Sequence, residues 1–391
     1  MIRMSSPPVR LGTAAILVVA ALAAALMAAR PVASLPMYAA RTGMTCRGCH
    51  FDPNGGGPRN TIGFTYGKQR HDLTPDPDPR WAELPASNRI GDALYLGANT
   101  RLAYIYSAHQ EALDETDLSS FYQMQGTLNV VLQPMSQLAI VMARDFGEFS
   151  GDVTRDLFAL IQDSGGRFAI KAGKVRPVFG LRQDEHESAT RGGFLGGSTG
   201  RGGGLLPYDP RVTESGVAAH LFRGGMELAA SLTNGGGAFQ NKAQATAVKL
   251  MSTFPDGLLG VSGYDNFSTS NGARATRWGG YALMRVPGIP TFTVMGEIGA
   301  GTDDDGAGVK RNLLATFLEA DYRLNRGVLF RGKYDFSDVN RDVPGNAAER
   351  FLLESDLTLV PFCDLKLSYR QIIPEASPNV HELVGMVYVA Y

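Results

Sequence analysis

Two thiols and an imidazole fall within five residues, Cys46-Arg47-Gly48-Cys49-His50. In this spacing both sulfurs can form thioethers with the vinyl groups of a haem, and the adjacent histidine becomes the proximal ligand of its iron. A bare Cys-x-x-Cys could instead be a redox disulfide or half of a zinc site. The immediate histidine and the lack of a second Cys-x-x-Cys favour one covalently bound haem c, attached at Cys46 and Cys49 with His50 on the iron. The third cysteine, Cys363, stands apart and reads as an inert thiol.

The chain has six histidines, and His71 is the one that follows the motif closely. It is the first candidate for a second axial ligand. Met44 and Met37 compete from the N-terminal side, and a methionine would raise the potential relative to two histidines. An open or water-filled position is the third alternative. Farther along, Arg182-Gln183-Asp184-Glu185-His186-Glu187 offers oxygen and imidazole groups of the kind that bind cations, although a solvated acidic loop is the plainer account.

The elements that must carry this motif begin with a targeting segment. Arg3 and Arg10 precede an apolar run from Leu11 to Ala29, and Val32-Ala33-Ser34 supplies small residues for cleavage. Residues 1–34 therefore read as a removed signal peptide, with an uncleaved anchor as the alternative. Residues 35–90 form a short monohaem segment, and 91–391 a second domain. No later apolar run approaches the ~18 residues of a spanning helix, so any membrane crossing falls to strands. The formal net charge of −1 argues against a nucleic-acid partner.

From about residue 92, segments of roughly ten residues alternate in polarity, as half-buried strands do. Met226, Leu228, Ala230 and Leu232 oppose Glu227, Ser231 and Thr233; Leu365, Leu367 and Tyr369 oppose Asp364, Lys366, Ser368 and Arg370. In 121–132, Tyr122, Met124, Leu128, Val130 and Leu132 share one parity. A soluble sandwich also alternates, but the connections here alternate in length as well. Short turns such as Gln133-Pro134-Met135, Arg223-Gly224 and Asn325-Arg326 trade places with long polar loops, including 301–311, 337–348 and the largest, 175–212. The pattern predicts an all-β, transmembrane outer-membrane barrel of about 16 antiparallel strands, with periplasmic turns, external loops and both termini on one side. The last strand ends on an apolar face of Leu383, Val387, Val389 and Tyr391, while its other face, with Val384, Met386 and Tyr388, is not polar.

Around the motif the chain resembles the fused monohaem cytochrome–porins of iron-oxidising bacteria. The likeness is carried by Tyr38-Ala39-Ala40-Arg41-Thr42-Gly43-Met44-Thr45-Cys46 and Cys49-His50, and more weakly by Pro58, Asn60, Ile62, Gly63 and Tyr66. An Asn54-Gly55-Gly56-Gly57 insert departs from that family's pattern. The resemblance implies electron transfer and iron oxidation. A second likeness, to phosphate-selective porins, lies in Lys171-Ala172-Gly173-Lys174-Val175-Arg176-Pro177-Val178-Phe179-Gly180 and reads as barrel construction. The expected lumen charges, Arg331, Lys333, Glu319, Asp321, Glu354 and Lys366, are mixed and unlike an anion filter.

Three functions compete. An electron conduit would pass single electrons between an extracellular donor or acceptor, such as ferrous iron, and periplasmic c-type cytochromes, with an iron oxidoreductase activity as its enzymatic form. A passive diffusion porin would carry the haem segment as a plug. A membrane-anchored haem enzyme or sensor would need an open distal site that residues 35–90 are too few to wall off. The conduit uses both halves of the chain.

Overall fold

The computed structural model describes residues 38, 42, 44–109, 118–146, 153–181, 185, 187–194, 204–208, 213–235, 243–268 and 271–391. The expected signal peptide lies outside them. A two-residue strand, β1 (Arg89–Ile90), leads into sixteen longer ones: β2 (Leu94–His109), β3 (Leu118–Met135), β4 (Leu138–Phe146), β5 (Val153–Gln162), β6 (Phe168–Val175), β7 (Glu214–Arg223), β8 (Met226–Thr233), β9 (Ala243–Phe254), β10 (Gly257–Ser268), β11 (Arg274–Arg285), β12 (Phe292–Asp304), β13 (Lys310–Asn325), β14 (Val328–Asp338), β15 (Ala347–Val360), β16 (Cys363–Pro374) and β17 (Val380–Ala390). Each pairs antiparallel with its sequence neighbours, and β17 closes on β2 from Val380↔His109 to Ala390↔Asn99. Closure leaves no unpaired edge, which backbone in a hydrocarbon environment requires. No described helix is long and apolar enough to cross a membrane.

The faces of this sheet are inverted relative to a water-soluble sandwich. Leu353, Trp278, Leu221 and Ile298 are more than half exposed on the outside. Lys171, Asp335, Glu297 and Arg350 are at most 2% exposed inside. Such a continuous outer apolar band is tolerable only against lipid. The chain is a transmembrane, outer-membrane-type β-barrel, as the alternation predicts.

The short connections gather at one end with the start of β2 and the end of β17, where the N–H of Ala98 donates to Tyr391 O at 2.9 Å. Three local expectations change. Strand β3 runs through Met135, so the turn is Ser136-Gln137, and the register slips between Leu132 and Met135 around Pro134, which has no N–H to give the ladder. A bulge between Arg101 and Leu102 leaves Met124 without an opposite residue. Leu128 and Leu132 consequently face lipid, whereas Met124 turns inward, so the single parity read across 121–132 is split. Strands β12 and β13 also extend farther than expected and leave only 305–309 between them.

The long β6–β7 connection does not simply project outward. Its described parts fold into the lumen: Val178, Phe179, Ala189, Phe194 and Leu205 join one buried cluster with Ala218, Tyr264, Ala315 and Ile372 of the wall.

Candidate functional site

Helix α1 (Cys46–Cys49) is a single turn. Residues three apart share a helix face, so both thiols point to the same side. His50 follows in extended backbone, φ −121° and ψ 156°, while its N–H still donates to Cys46 O at 2.9 Å. The chain then doubles back: His50 bridges Arg59, and the N–H of Phe51 donates to Pro58 O at 3.2 Å. The glycine insert is the loop of this hairpin. Gly55 takes φ +85°, and a Cβ there would come within 2.9 Å of Cys46 Sγ, so only glycine passes the thiol unstrained.

Helix α2 (Thr61–Lys68) packs directly on α1. Asn60 caps it by accepting the N–H groups of Ile62 and Gly63 at 3.0 Å each, and its Nδ2 donates to the carbonyls of Arg47 and Gly48 at 3.3 and 3.1 Å. A Cβ on Gly63 would stand 2.2 Å from Cys49 O. Asn60 and Gly63, weak family matches in sequence, are thus the staple and the contact point of the two helices.

This segment sits inside the short-turn end of the barrel. Phe51 joins the cluster of Val131, Val141, Phe158 and Val175. The Arg47 guanidinium lies 4.5 Å over Phe222, and Arg59 Nη1 donates to Ala390 O at 3.2 Å. Phe64 packs on Phe362 and Tyr391, with ring centroids 4.9 and 5.2 Å away. Asp72 pairs with Arg323 at the β13–β14 turn, and Arg326 donates to the carbonyls of Gln69 and Thr74.

Cys46, Cys49, His50 and His71 all line one cavity of about 510 Å³ between the segment and the barrel wall. Its other walls include Arg101, Met124, Met386 and Tyr388, with Arg176, Leu181, Glu185 and Glu187 from the inward-folded connection. That volume lies within the usual range of cofactor pockets, about 300–1,000 Å³. The thiols share one face, glycine at 55 adds no side chain against the first thiol, and a histidine follows at once; this donor set and cavity fit a c-type haem. Burial pushes the Cys49 thiol up, against the pull of Arg59. A redox Cys-x-x-Cys needs the opposite shift. Among the described residues no group of three or more His, Cys, Asp and Glu side chains converges as a metal-binding cluster.

His71 lies three residues past α2 in the left-handed region, φ +59°. Its ring stacks on Tyr66, with centroids 5.5 Å apart at 13°, and Nδ1 lies 3.3 Å from Thr358 Oγ1. Burial lowers its pKa, while Asp364 and Asp356 pull the other way. The neutral imidazole is the ligating form. Met44 lies beside α1, 3.1 Å from where a Gly48 Cβ would be. Met37 lies outside the described residues, as do Arg182, Gln183, Asp184 and His186 of the acidic loop. Glu187 of that loop accepts from Arg370 at 3.0 Å and so serves to hold the connection inside. Cys363 is a partly buried free thiol at the start of β16.

Sequence reading missed the lumenal roles of Arg101, Met124, Met386 and Tyr388. The non-polar inner face of the last strand was the visible trace of Met386 and Tyr388, and the bulge concealed Met124. The expected mixed lumen charges form a network: Arg331 bridges Glu319, Asp321 and Glu354 at 3.1, 2.9 and 2.6 Å, and Lys366 pairs with Asp356.

No family model and no curated protein matches the sequence. Solved structures do resemble the barrel. Pseudomonas putida OprB superposes with a TM-score of 0.59 at 9% identity, covering 76% of this chain and 94% of its own. An anion-selective porin from Comamonas acidovorans gives 0.57 at 10% identity, covering 76% and 99%. A loop-deleted OmpT of Vibrio cholerae gives 0.58 at 11% identity, covering 77% and 100%. At these identities the likeness establishes the fold, and the fold is that of an outer-membrane porin.

Proposed function

We propose that this chain is an outer-membrane electron conduit in which Cys46 and Cys49 hold one haem c, His50 is its proximal ligand and His71 its second. When bound, that group supplies reversible one-electron chemistry. The observation carrying the proposal is that the two thiols and both imidazoles line a single lumenal cavity. The apolar belt of such a barrel is about 25 Å tall, more than one macrocycle spans. Residues 44–90 sit at the short-turn end, so a small donor or acceptor from the far side reaches the site past the inward β6–β7 connection, with ferrous iron the one the family resemblance suggests. The short-turn end is periplasmic in barrels of this kind, so periplasmic c-type cytochromes are the inner partners.

The test is covalent attachment. Denatured protein should retain haem stain on a gel, and Cys46→Ala with Cys49→Ala should lose it while still assembling as a barrel. Wild-type protein without covalent haem would sink the proposal.

The porin likeness favours a second reading, a passive diffusion pore. Segment 44–90 and the inward β6–β7 connection both occupy the bore, which argues for low conductance. Planar-bilayer recordings of the full chain separate the two, since an open porin conducts strongly without any redox partner.

A further inference from the structure

The porin-like stretch beginning at Lys171 reaches beyond barrel construction. Lys171 on β6 is fully buried, and its Nζ donates to both carboxylate oxygens of Asp52 at 2.9 Å each. Asp52 lies two residues past His50 and shapes the same hairpin. Its Oδ1 accepts the Asn54 N–H at 2.8 Å, and its carbonyl accepts the Gly55 N–H at 2.9 Å. Phe158 backs the pair: its ring centroid is 5.4 Å from Lys171 Nζ, and it belongs to the cluster that receives Phe51. Ten residues beyond Lys171, Leu181 belongs to the cluster on which Cys46 packs. One stretch of wall and loop therefore reaches the cluster on which Cys46 packs and, two residues past the motif, Asp52.

An ammonium taken wholly out of water is costly, and an apolar residue would fill the same space at less expense. What an ion pair adds is selectivity for one geometry, because any slip of the hairpin strands a charge. We infer that Lys171 is a positioning residue for the Cys46–His50 turn, fixing through Asp52 the place of His50 in the lumen. This rests on the reading of that turn as a haem-attachment site.

The full-length protein in detergent tests it. Lys171→Met leaves Asp52 without its buried partner. Covalent haem stain should persist, since both thiols remain. The midpoint potential should fall, because an uncompensated carboxylate favours the oxidised iron. Protease cleavage within 44–90 should become at least tenfold faster. Reversing the pair with Asp52→Lys and Lys171→Asp should move both readouts back toward wild type. If Lys171→Met does not assemble, Asp52→Asn with Lys171→Met removes both charges and should assemble with faster cleavage. Wild-type cleavage and potential in Lys171→Met overturn the inference, as does an assembled reversed pair that restores neither. A wild-type protein lacking haem would refute the attachment reading alone, and the cleavage rates would still judge Lys171.

Discussion

Arg191 and Glu297 form a bidentate ion pair inside the barrel, with Nη1–Oε1 at 3.0 Å and Nη2–Oε2 at 2.8 Å, both side chains at most 1% exposed. The pair joins the long β6–β7 connection to β12 on the wall. Glu297 Oε2 also accepts the Leu181 N–H at 3.1 Å, so one carboxylate holds the loop at two points.

Breaking that pair should open the bore. Arg191→Ala leaves a buried carboxylate without its cation, a change that typically costs about 3–5 kcal/mol. The sixteen-strand ladder does not depend on the contact, so the barrel should assemble and its loop should loosen. Planar-bilayer conductance should rise well above wild type. Arg191→Met with Glu297→Gln, which removes both charges, should raise it less. Unchanged conductance in Arg191→Ala would mean the loop is held by its apolar cluster alone.

The ends of the barrel give a topological prediction. Residues 305–309 form an exposed connection at the long-loop end, and 163–167 a turn at the other. An epitope inserted at Ala307 should be labelled on intact cells, and one at Gly165 only after permeabilisation. The reverse pattern would place segment 44–90 at the cell exterior and remove the periplasmic partners.

Sixteen strands were legible because polarity alternates with period two along most of them, and Glu227, Ser231 and Thr233 are as buried in the lumen as their polarity predicts. Contacts fixed by neither period nor polarity were not legible. Nothing local in 121–132 announces the bulge at Met124, since it arises from the register against β2. Nor does the composition of 175–212 distinguish a loop that projects from one that folds inward; buried partners such as Glu297 decide that. At the candidate site, the shared face of Cys46 and Cys49 with His50 next to it follows from their spacing, whereas the contact of Lys171 does not, because its partner lies 119 residues away.

Acid should loosen the segment before it unfolds the barrel. Burial raises the Asp72 carboxyl, but hydrogen bonds from the Thr74 N–H and hydroxyl and from Arg323 outweigh it and hold the pKa at about 2, against 3.8 for the ordinary group. A depressed carboxylate stabilises the docked segment fully above about pH 4, and that stabilisation is lost as pH falls through about 2. Protease cleavage within 44–90, sampled with an acid-active protease, should therefore accelerate between pH 4 and 2. Asp72→Asn should cleave faster already at pH 5 and lose much of this dependence. A wild-type rate that is flat across the window would assign the docking to Asp52 and the aromatic contacts instead.

The proposed haem calls for a second axial ligand, for which His71 and Met44 make opposite predictions. Stacking on Tyr66 and the Thr358 contact at Nδ1 orient the His71 ring, and Asp364 Oδ2 stands 3.9 Å from Nε2, too far for a hydrogen bond. Its burial favours the neutral form, which has a lone pair to give. With two histidines the iron is six-coordinate and low-spin, which suits electron relay and leaves no position for substrate. His71→Ala should shift the spectrum toward high spin and allow the reduced protein to bind carbon monoxide. His71→Met should remain six-coordinate at a higher potential. Met44→Ala should change neither spin state nor carbon monoxide binding. If Met44→Ala opens the iron and His71→Ala does not, the ligand is Met44 and the conduit stands. If reduced wild-type protein already binds carbon monoxide tightly, the site is open, and an anchored haem enzyme or sensor replaces the conduit.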